Sequence, residues 1–424
     1  MASPLPLHLL PDTAVIDDGR LSIGGCDTLD LAAQFGTPLF VYDEKHLRAR
    51  CREAVAAFGD GVAYATKAFL CKAMARLAAE EGMHLDVATG GELWVALQAG
   101  IPAERLVLHG NNKSPVELAM ALEAGVGRIV VDSFDEVHRL SSLAAERDRK
   151  VRVLIRITPG VEAHTHEFVA TGQDDTKFGF TVSTGAADQA IEWTTSSPVL
   201  ELMGLHAHIG SQVFRLASFV EAARAVARAA APYDLPELSL GGGLGVPYVA
   251  GETSPSIAEW GQAIVAACLD EGVTGTVTAE PGRAIAAAAA VTLYTAGTIK
   301  DIPGTRTYVS VDGGMSDNPR PVLYGSGYEA FLPRAADAPR PRPVRIVGKH
   351  CESGDVLVRE AWVPEDLAVD DVLATPVTGA YGHSMGSNYN KVLRPAVVFC
   401  REGNARLVVR RETYEDLLIT DLGD

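Results

Sequence analysis

The sequence predicts an α/β fold: an N-terminal (β/α)8 TIM-type barrel followed by a C-terminal β-domain. Three observations carry this. From about Gly61, short β-rich runs alternate with polar or glycine-rich breaks and amphipathic, alanine-rich stretches. Conspicuous polar residues collect where those runs end. After Val291 helical periodicity fades, and proline and glycine punctuate short β-type runs.

The strand candidates, in order, are Val62–Thr66, His84–Ala88, Arg105–His109, Arg128–Asp132, Val151–Ile157, Leu202–His208, Glu237–Leu240 and Thr276–Ala279. Helical patterns lie between most of them, at Lys72–Glu81, Glu92–Ala99, Pro115–Ala124, Phe134–Arg147, Ser218–Ala231 and Ile257–Asp270. Strands alternating with helices pair in parallel, because a crossover must return each strand to its neighbour. Eight such units are the number that closes a barrel. Counting strands does not show closure, so an open doubly wound sheet stands as the alternative. The barrel is expected over residues 39–290. The runs Thr307–Val311, Pro343–Val347, Val356–Val363, Ala396–Cys400 and Arg406–Val409 define an all-β unit over 291–424. Residues 1–38, short and turn-rich, are assigned to the same unit. Pro333–Pro343, full of proline and arginine, reads as an exposed loop.

At 424 residues the chain exceeds one ordinary core. Hydrophobic residues make up 47% and charged residues 21%, a globular balance. A net charge of -17 repels phosphate-rich partners, so neither nucleic acid nor an anionic membrane is expected. Six scattered cysteines without a C-x-x-C pair read as reduced thiols rather than disulfides or a zinc site. No basic stretch followed by an apolar one opens the chain, and the longest apolar run, Ala284–Tyr294, is too short to span a bilayer. A cytoplasmic location is the expectation.

Lys67 follows the first strand, Asp86 sits near the end of the second, and His109 ends the third. His208 closes the sixth, Gly241–Gly242–Gly243 follow the seventh, and Glu280 follows the eighth. All fall at C-terminal strand ends, where barrels of this kind build active sites. Random polar residues would divide between the two ends. A strand-end lysine forms a Schiff base if burial lowers its pKa; the bland alternative is a lysine reaching into solvent. Gly241-Gly242-Gly243-Leu244-Gly245 would let backbone N–H groups approach a phosphate, or simply make a tight turn. It lacks the Lys-Ser/Thr of a P-loop and the spacing of a dinucleotide fingerprint. His208-Ile209-Gly210-Ser211-Gln212 adds a hydroxyl and an open backbone segment at the neighbouring strand end. In Glu280-Pro281-Gly282-Arg283 a carboxylate facing a pyridine nitrogen would keep it protonated, and the arginine would take a carboxylate or phosphate. Lysine, phosphate loop and carboxylate together describe a pyridoxal 5'-phosphate site better than any one of them.

This set resembles the fold-type III pyridoxal-phosphate decarboxylases, which include ornithine and diaminopimelate decarboxylases. The resemblance covers nearly the whole chain and implies an alanine racemase-like barrel with a C-terminal β-domain. Asp312-Gly313-Gly314-Met315-Ser316-Asp317-Asn318-Pro319-Arg320-Pro321, followed by Leu323-Tyr324, is similar to the diaminopimelate decarboxylase signature, in which the matching arginine and tyrosine bind substrate. Cys351-Glu352-Ser353-Gly354-Asp355 looks like that family's catalytic cysteine followed by a substrate-binding glutamate, where ornithine and arginine decarboxylases carry aspartate. Gly379-Ala380-Tyr381-Gly382 resembles the segment whose tyrosine approaches cofactor and substrate.

The resemblance implies decarboxylation of meso-2,6-diaminoheptanedioate to L-lysine. Lys67 would carry the cofactor, Glu280 would serve its ring nitrogen, His208 would stack on its ring, and Asp86 would belong to the same cofactor pocket. Ser211, Gly242, Gly243, Gly282, Arg283 and Tyr381 would hold the phosphate. Cys351 would donate a proton to the α-carbon. Arg283 and Arg320 would take carboxylate, Glu352 the distal ammonium, and Tyr324 and Tyr381 would complete the substrate site. The family also implies a homodimer whose cysteine and glutamate come from the second subunit. Rivals are a same-fold decarboxylase of ornithine, arginine or D-lysine, a non-catalytic pyridoxal-phosphate binder, and a Schiff-base aldolase. His164-Thr165-His166 has no third ligand at a suitable spacing, so no metal is expected. Lys177-Phe178-Gly179-Phe180 carries no assigned chemistry.

Overall fold

The computed structural model describes residues 5–160 and 175–423. His164, His166 and Thr171–Gly172 lie outside them. The chain divides into two compact units: one of Arg50–Gly245 and Ser254–Ala284, the other of Met1–Ala49, Val246–Thr253 and Ile285–Asp424.

The second unit opens with a three-stranded sheet of β1 (Val15–Asp17), β2 (Arg20–Ile23) and β3 (Cys26–Asp27). It also holds β4 (Leu39–Asp43), which pairs antiparallel with β14 (Ala290–Ile302) and parallel with β19 (Ala396–Arg401). Residues 39–49, counted with the barrel from sequence, therefore fold with the β-rich unit. All five residues of β4 are buried, so no alternation tells its partner sheet from the sequence.

In the first unit β5 (Ala63–Ala65), β6 (His84–Val87), β7 (Leu106–Leu108), β8 (Arg128–Val131), β9 (Val151–Thr158), β11 (Leu200–His206), β12 (Glu237–Ser239) and β13 (Thr276–Thr278) pair in parallel, each with its chain neighbour in this series; the two-residue β10 (Phe180–Thr181) adds to β9. The N–H groups of Ala63 and Ala65 donate to the carbonyls of Ala279 (3.0 Å) and Pro281 (3.2 Å). These bonds join β5 to the chain leaving β13, so the sheet comes round into a barrel and the open doubly wound alternative falls. The alanine-rich helices bury one stripe against it: in Leu216–Ala230 the buried set includes Phe219, Ala222, Ala223, Val226, Ala227 and Ala230. Capping boxes at Ser114/Glu117 and Ser256/Glu259 set where two of the barrel helices begin.

The sheet of the β-rich unit runs β17 (Val356–Val363), β16 (Arg342–Val347), β15 (Arg306–Val311), β14, β4, β19, β20 (Asn404–Val409), with β18 (Val372–Pro376) also pairing with β14. Leu21, Ile23 and Leu31 from the N-terminal segment share its core with Leu39, Val41, Leu293, Phe331 and Val398. Pro333–Pro343 departs from the exposed loop expected: it starts with a 3-10 turn, Pro333–Ala335, and buries Pro333, Ala336 and Arg340. Pro339, Pro341 and Pro343 stay exposed, so the segment is only partly buried. No helix among the described residues is long and apolar enough to cross a membrane.

Candidate active site

The barrel unit brings the strand-end residues together on one face. Lys67 stands in the 3-10 turn Thr66–Ala68 directly after β5, held by Thr66, whose hydroxyl donates to the Asp86 carbonyl at 2.8 Å. Its side chain is exposed, not buried as the Schiff-base reading expected. Its positive charge opposes the rise that burial gives the Asp86 pKa and adds to the lowering of the His208 pKa.

Asp86 is buried, and burial pushes its carboxyl up to about 6 against the opposing pull of His109 and Lys67. Glu280, also buried, is gripped on both oxygens. Nε2 of His109 lies 3.0 Å from Oε1 and Nε2 of His206 lies 3.0 Å from Oε2, while the Ser239 hydroxyl donates to Oε1 at 3.3 Å. Burial alone would raise the Glu280 pKa; the two histidines outweigh it and hold the carboxylate well below the usual range. An ionised carboxylate only accepts, so both Nε2 atoms are donors. The buried Nδ1 of His206 has no partner among the described residues. A proton there would be an orphaned donor, and burial duly lowers the His206 pKa to about 4. His109 is the charged member: burial works against its proton, but Asp86 (3.7 Å) and Glu280 outweigh burial and raise its pKa. The spacing of His109, His206 and Glu280 would also suit a cation. At 3.0 Å their contacts are hydrogen bonds.

Gly242 N–H donates to Nδ1 of His208 at 3.1 Å, which leaves the imidazole proton on Nε2. Burial, then the Lys67 and Arg156 cations, keep this ring neutral. The glycines are demanded by close packing. A Cβ on Gly242 would lie 2.4 Å from the Glu280 carbonyl oxygen, and one on Gly243, whose φ is +109°, would lie 2.3 Å from that of Gly210. Arg283 donates to the Ser211 hydroxyl at 2.8 Å, a cation and a hydroxyl that can face one anion together. Gly282 is packed against Ala65, with only 3.0 Å to spare for a Cβ. The donor set suits pyridoxal phosphate: a strand-end amine, an ionised carboxylate for a ring nitrogen, and an arginine–hydroxyl pair beside a glycine turn for the phosphate.

Lys177–Phe180 turns out to be structural. Gly179 N–H donates to Asp132 at 2.7 Å, Phe178 lies 4.2 Å from the Arg156 guanidinium, and Phe180 packs edge-on against Phe134.

The remaining candidates belong to the β-rich unit. Arg320 opens the short helix Arg320–Tyr324, at whose end Tyr324 is half-buried. Arg320 is 4% exposed, donates to the Tyr328 hydroxyl at 2.8 Å and sits 4.1 Å over the Tyr248 ring. No carboxylate pairs with it among the described residues. Cys351 and Glu352 are exposed on the segment between β16 and β17. Buried Asp355 anchors that segment, accepting from the N–H of Met315 (2.7 Å) and from the backbone N–H (2.9 Å) and Nδ1 (2.8 Å) of His350. The Cys351 N–H donates to Oδ1 of Asn390 at 3.1 Å, and the Tyr389 hydroxyl donates to Glu352 at 2.5 Å. Tyr381 and Val377 both have a φ of +60°, costly for a β-branched valine. The turn between them is clamped: the Tyr42 hydroxyl donates to the Gly379 carbonyl at 2.7 Å.

Sequence reasoning missed His206 and gave His109 no role. His206-Ala207-His208 carried a usable signal, since a period of two puts both histidines on one face of a strand. Tyr248, Tyr328 and Tyr389 had no comparable signal, being partners of the motif residues rather than members of the motifs, and Asp355 stood in the cysteine motif without a role.

Residues 44–287 match the family model described as the pyridoxal binding domain of pyridoxal-dependent decarboxylases. The chain is 49% identical to the diaminopimelate decarboxylase of Mycobacterium tuberculosis, covering 97% of this chain and 98% of that one. It is 46% identical to that of Bacillus subtilis, covering 95% of each. A solved diaminopimelate decarboxylase from M. jannaschii superposes with a TM-score of 0.91 at 33% identity, over 97% of this chain and 98% of that one. The arginine–hydroxyl pair, the gripped carboxylate and the strand-end lysine are thus set in a pyridoxal-binding barrel, and the chain belongs to the diaminopimelate decarboxylase family of pyridoxal-dependent decarboxylases.

Proposed function

We propose that this enzyme decarboxylates meso-2,6-diaminoheptanedioate at its D-centre, releasing carbon dioxide and L-lysine with pyridoxal 5'-phosphate as cofactor. The curated relatives carry that name, and the M. jannaschii relative was also solved in complex with L-lysine, the product of the proposed reaction. The observation that carries the substrate reading is Arg320, a buried guanidinium held by tyrosines and unpaired with any carboxylate among the described residues. A buried cation without an anion costs several kcal/mol. A substrate carboxylate removes that cost, and ornithine has no distal carboxylate to offer.

The bound cofactor supplies an electron sink for the carbanion left by carbon dioxide. The chain's own groups do the rest. Lys67 offers the amine that would hold the cofactor. Glu280 and Asp86 serve the ring, and His208 offers a neutral imidazole face against it. Ser211, Arg283, Tyr381 and the backbone at Gly242, Gly243 and Gly282 bind the phosphate. Cys351 delivers the proton to the α-carbon. Arg320 and Arg283 orient carboxylate, Glu352 takes the distal ammonium, and Tyr324 and Tyr381 close the substrate site. Wrong substrates would leave these polar groups unpaired, which makes the discrimination large.

The working unit we infer is a homodimer that shares its sites, in a reducing cytoplasm that suits six free cysteines. Mixing Lys67→Ala chains with Cys351→Ala chains should restore part of the activity. Wholly inactive mixtures would argue for sites complete within one chain. The substrate assignment is tested by carbon dioxide release from meso-diaminopimelate, L-ornithine, L-arginine and D-lysine; turnover of ornithine without diaminopimelate overturns it.

A further inference from the structure

We propose that His109 and His206 are positioning residues that hold Glu280 as an ion of low basicity, so that the proton it shares with the cofactor stays on the ring nitrogen. This rests on the reading that Glu280 faces that nitrogen, and adds how the chain keeps the carboxylate fit for the task.

A carboxylate offers about four lone-pair directions. His109 and Ser239 occupy Oε1, and His206 occupies one direction on Oε2. Among the described residues one direction on Oε2 remains, which gives a ring N–H a single address. The same bonds set basicity. In a buried site an unsupported carboxyl gains protons, and beside a pyridinium it would take the proton and leave the ring neutral. Each donated hydrogen bond stabilises the anion and opposes that transfer. His109, charged between Asp86 and Glu280, adds an ionic attraction. His206 acts as a neutral donor, because a second proton would be buried at Nδ1 without an acceptor. Arg156, already paired with Asp132 at 3.4 Å, feels the Glu280 charge but donates no hydrogen bond to it.

The alternative is that the histidines merely fill space. The experiment separates the two. Holoenzyme is reconstituted with cofactor labelled with nitrogen-15 in the ring, and the ring-nitrogen resonance is recorded for wild type, Glu280→Gln, His206→Phe, His206→Gln and His109→Phe. The wild type is expected at the protonated position and Glu280→Gln at the neutral one. His206→Phe and His109→Phe should move to the neutral position although Glu280 is intact. His206→Gln, which restores an N–H near Nε2 without an imidazole, should return toward wild type. Where a variant loses the cofactor, infrared difference spectra of the apoprotein decide: His206→Phe should show a protonated carboxyl band that vanishes in the double variant with Glu280→Gln. A resonance that stays protonated in both phenylalanine variants, with no such band, overturns the proposal while a shift in Glu280→Gln leaves the underlying reading standing. An unmoved resonance in Glu280→Gln overturns that reading itself.

Discussion

Lys113→Met removes a buried cation that secures the loop after β7, the strand that delivers His109. Nζ of Lys113 donates to the carbonyls of Gly110 (2.7 Å) and Val130 (2.7 Å) and to Glu136 Oε1 (2.6 Å), and both side chains of the ion pair are almost wholly buried. Burial lowers the Lys113 pKa and raises that of Glu136, so desolvation outweighs mutual attraction on both sides. Such a pair gives little net stability, yet losing one partner strands the other. Methionine fills the lysine stem, so the cavity contribution is small. What remains is a buried carboxyl and two carbonyls without their donor, about 3–5 kcal/mol in all. That is a large part of the roughly 5–15 kcal/mol by which a domain is stable. Lys113→Met/Glu136→Gln removes the stranded charge and keeps an acceptor for the Asp132 N–H, which Glu136 now receives at 3.2 Å. It should recover about 2 kcal/mol, the difference between a stranded charge and a stranded neutral group. Urea unfolding followed by tryptophan fluorescence measures this, since Trp94, Trp193 and Trp260 all lie in the barrel unit. Unchanged m-values would show that the native states are being compared fairly. A single variant within about 1 kcal/mol of wild type, or a double variant worse than the single, would refute the reasoning.

Asp317 is fully buried, and burial pushes its carboxyl up to about 7 despite bonds from the Tyr294 hydroxyl (2.6 Å) and the Gly314 N–H (2.8 Å). With the folded pKa above the unfolded one, the native state holds its proton more tightly, and Asp317 costs stability progressively from about pH 4 to pH 7. Asp317→Asn mimics the protonated acid, so its stability relative to wild type should rise across that window by at most about 4 kcal/mol; a parallel pH profile would contradict this. Gly242→Ala drives a methyl to 2.4 Å from the Glu280 carbonyl oxygen, and we expect loss of both fold stability and cofactor retention, read by unfolding and by absorbance of the bound cofactor. Tyr389→Phe deletes the bond to Glu352 but keeps the ring stacked on His350 at 5.7 Å. KM for diaminopimelate should rise about 3- to 10-fold with kcat nearly unchanged, and a fall in kcat alone would count against a substrate-orienting role. Arg320→Lys replaces a planar fork stacked on Tyr248 by a point charge, and should raise KM about 10- to 100-fold while the chain stays folded.

Periodicity is local, and what depends on it was legible in the sequence. The alternation of strand and helix announced the parallel barrel, and strand ends located Lys67, Asp86, His208, the glycine turn and Glu280 before any coordinate. The signatures around Arg320 and around Cys351-Glu352 are each contiguous in the chain and were equally readable. Pairing over long separations was not. Barrel closure rests on Ala63 and Ala65 reaching Ala279 and Pro281. The unbroken run Leu39–Tyr42 fits any buried strand, and only its register with β14 and β19 gave it a sheet. The sixth barrel strand was read through His208, but pairing stops at His206, opposite Ser239. That two-residue difference decides the chemistry: His206 stays in the ladder and reaches Glu280, while His208 leaves it and turns its Nδ1 to Gly242. Which histidine grips a carboxylate 74 residues away is a tertiary fact, because it depends on where a ladder ends rather than on what the strand contains.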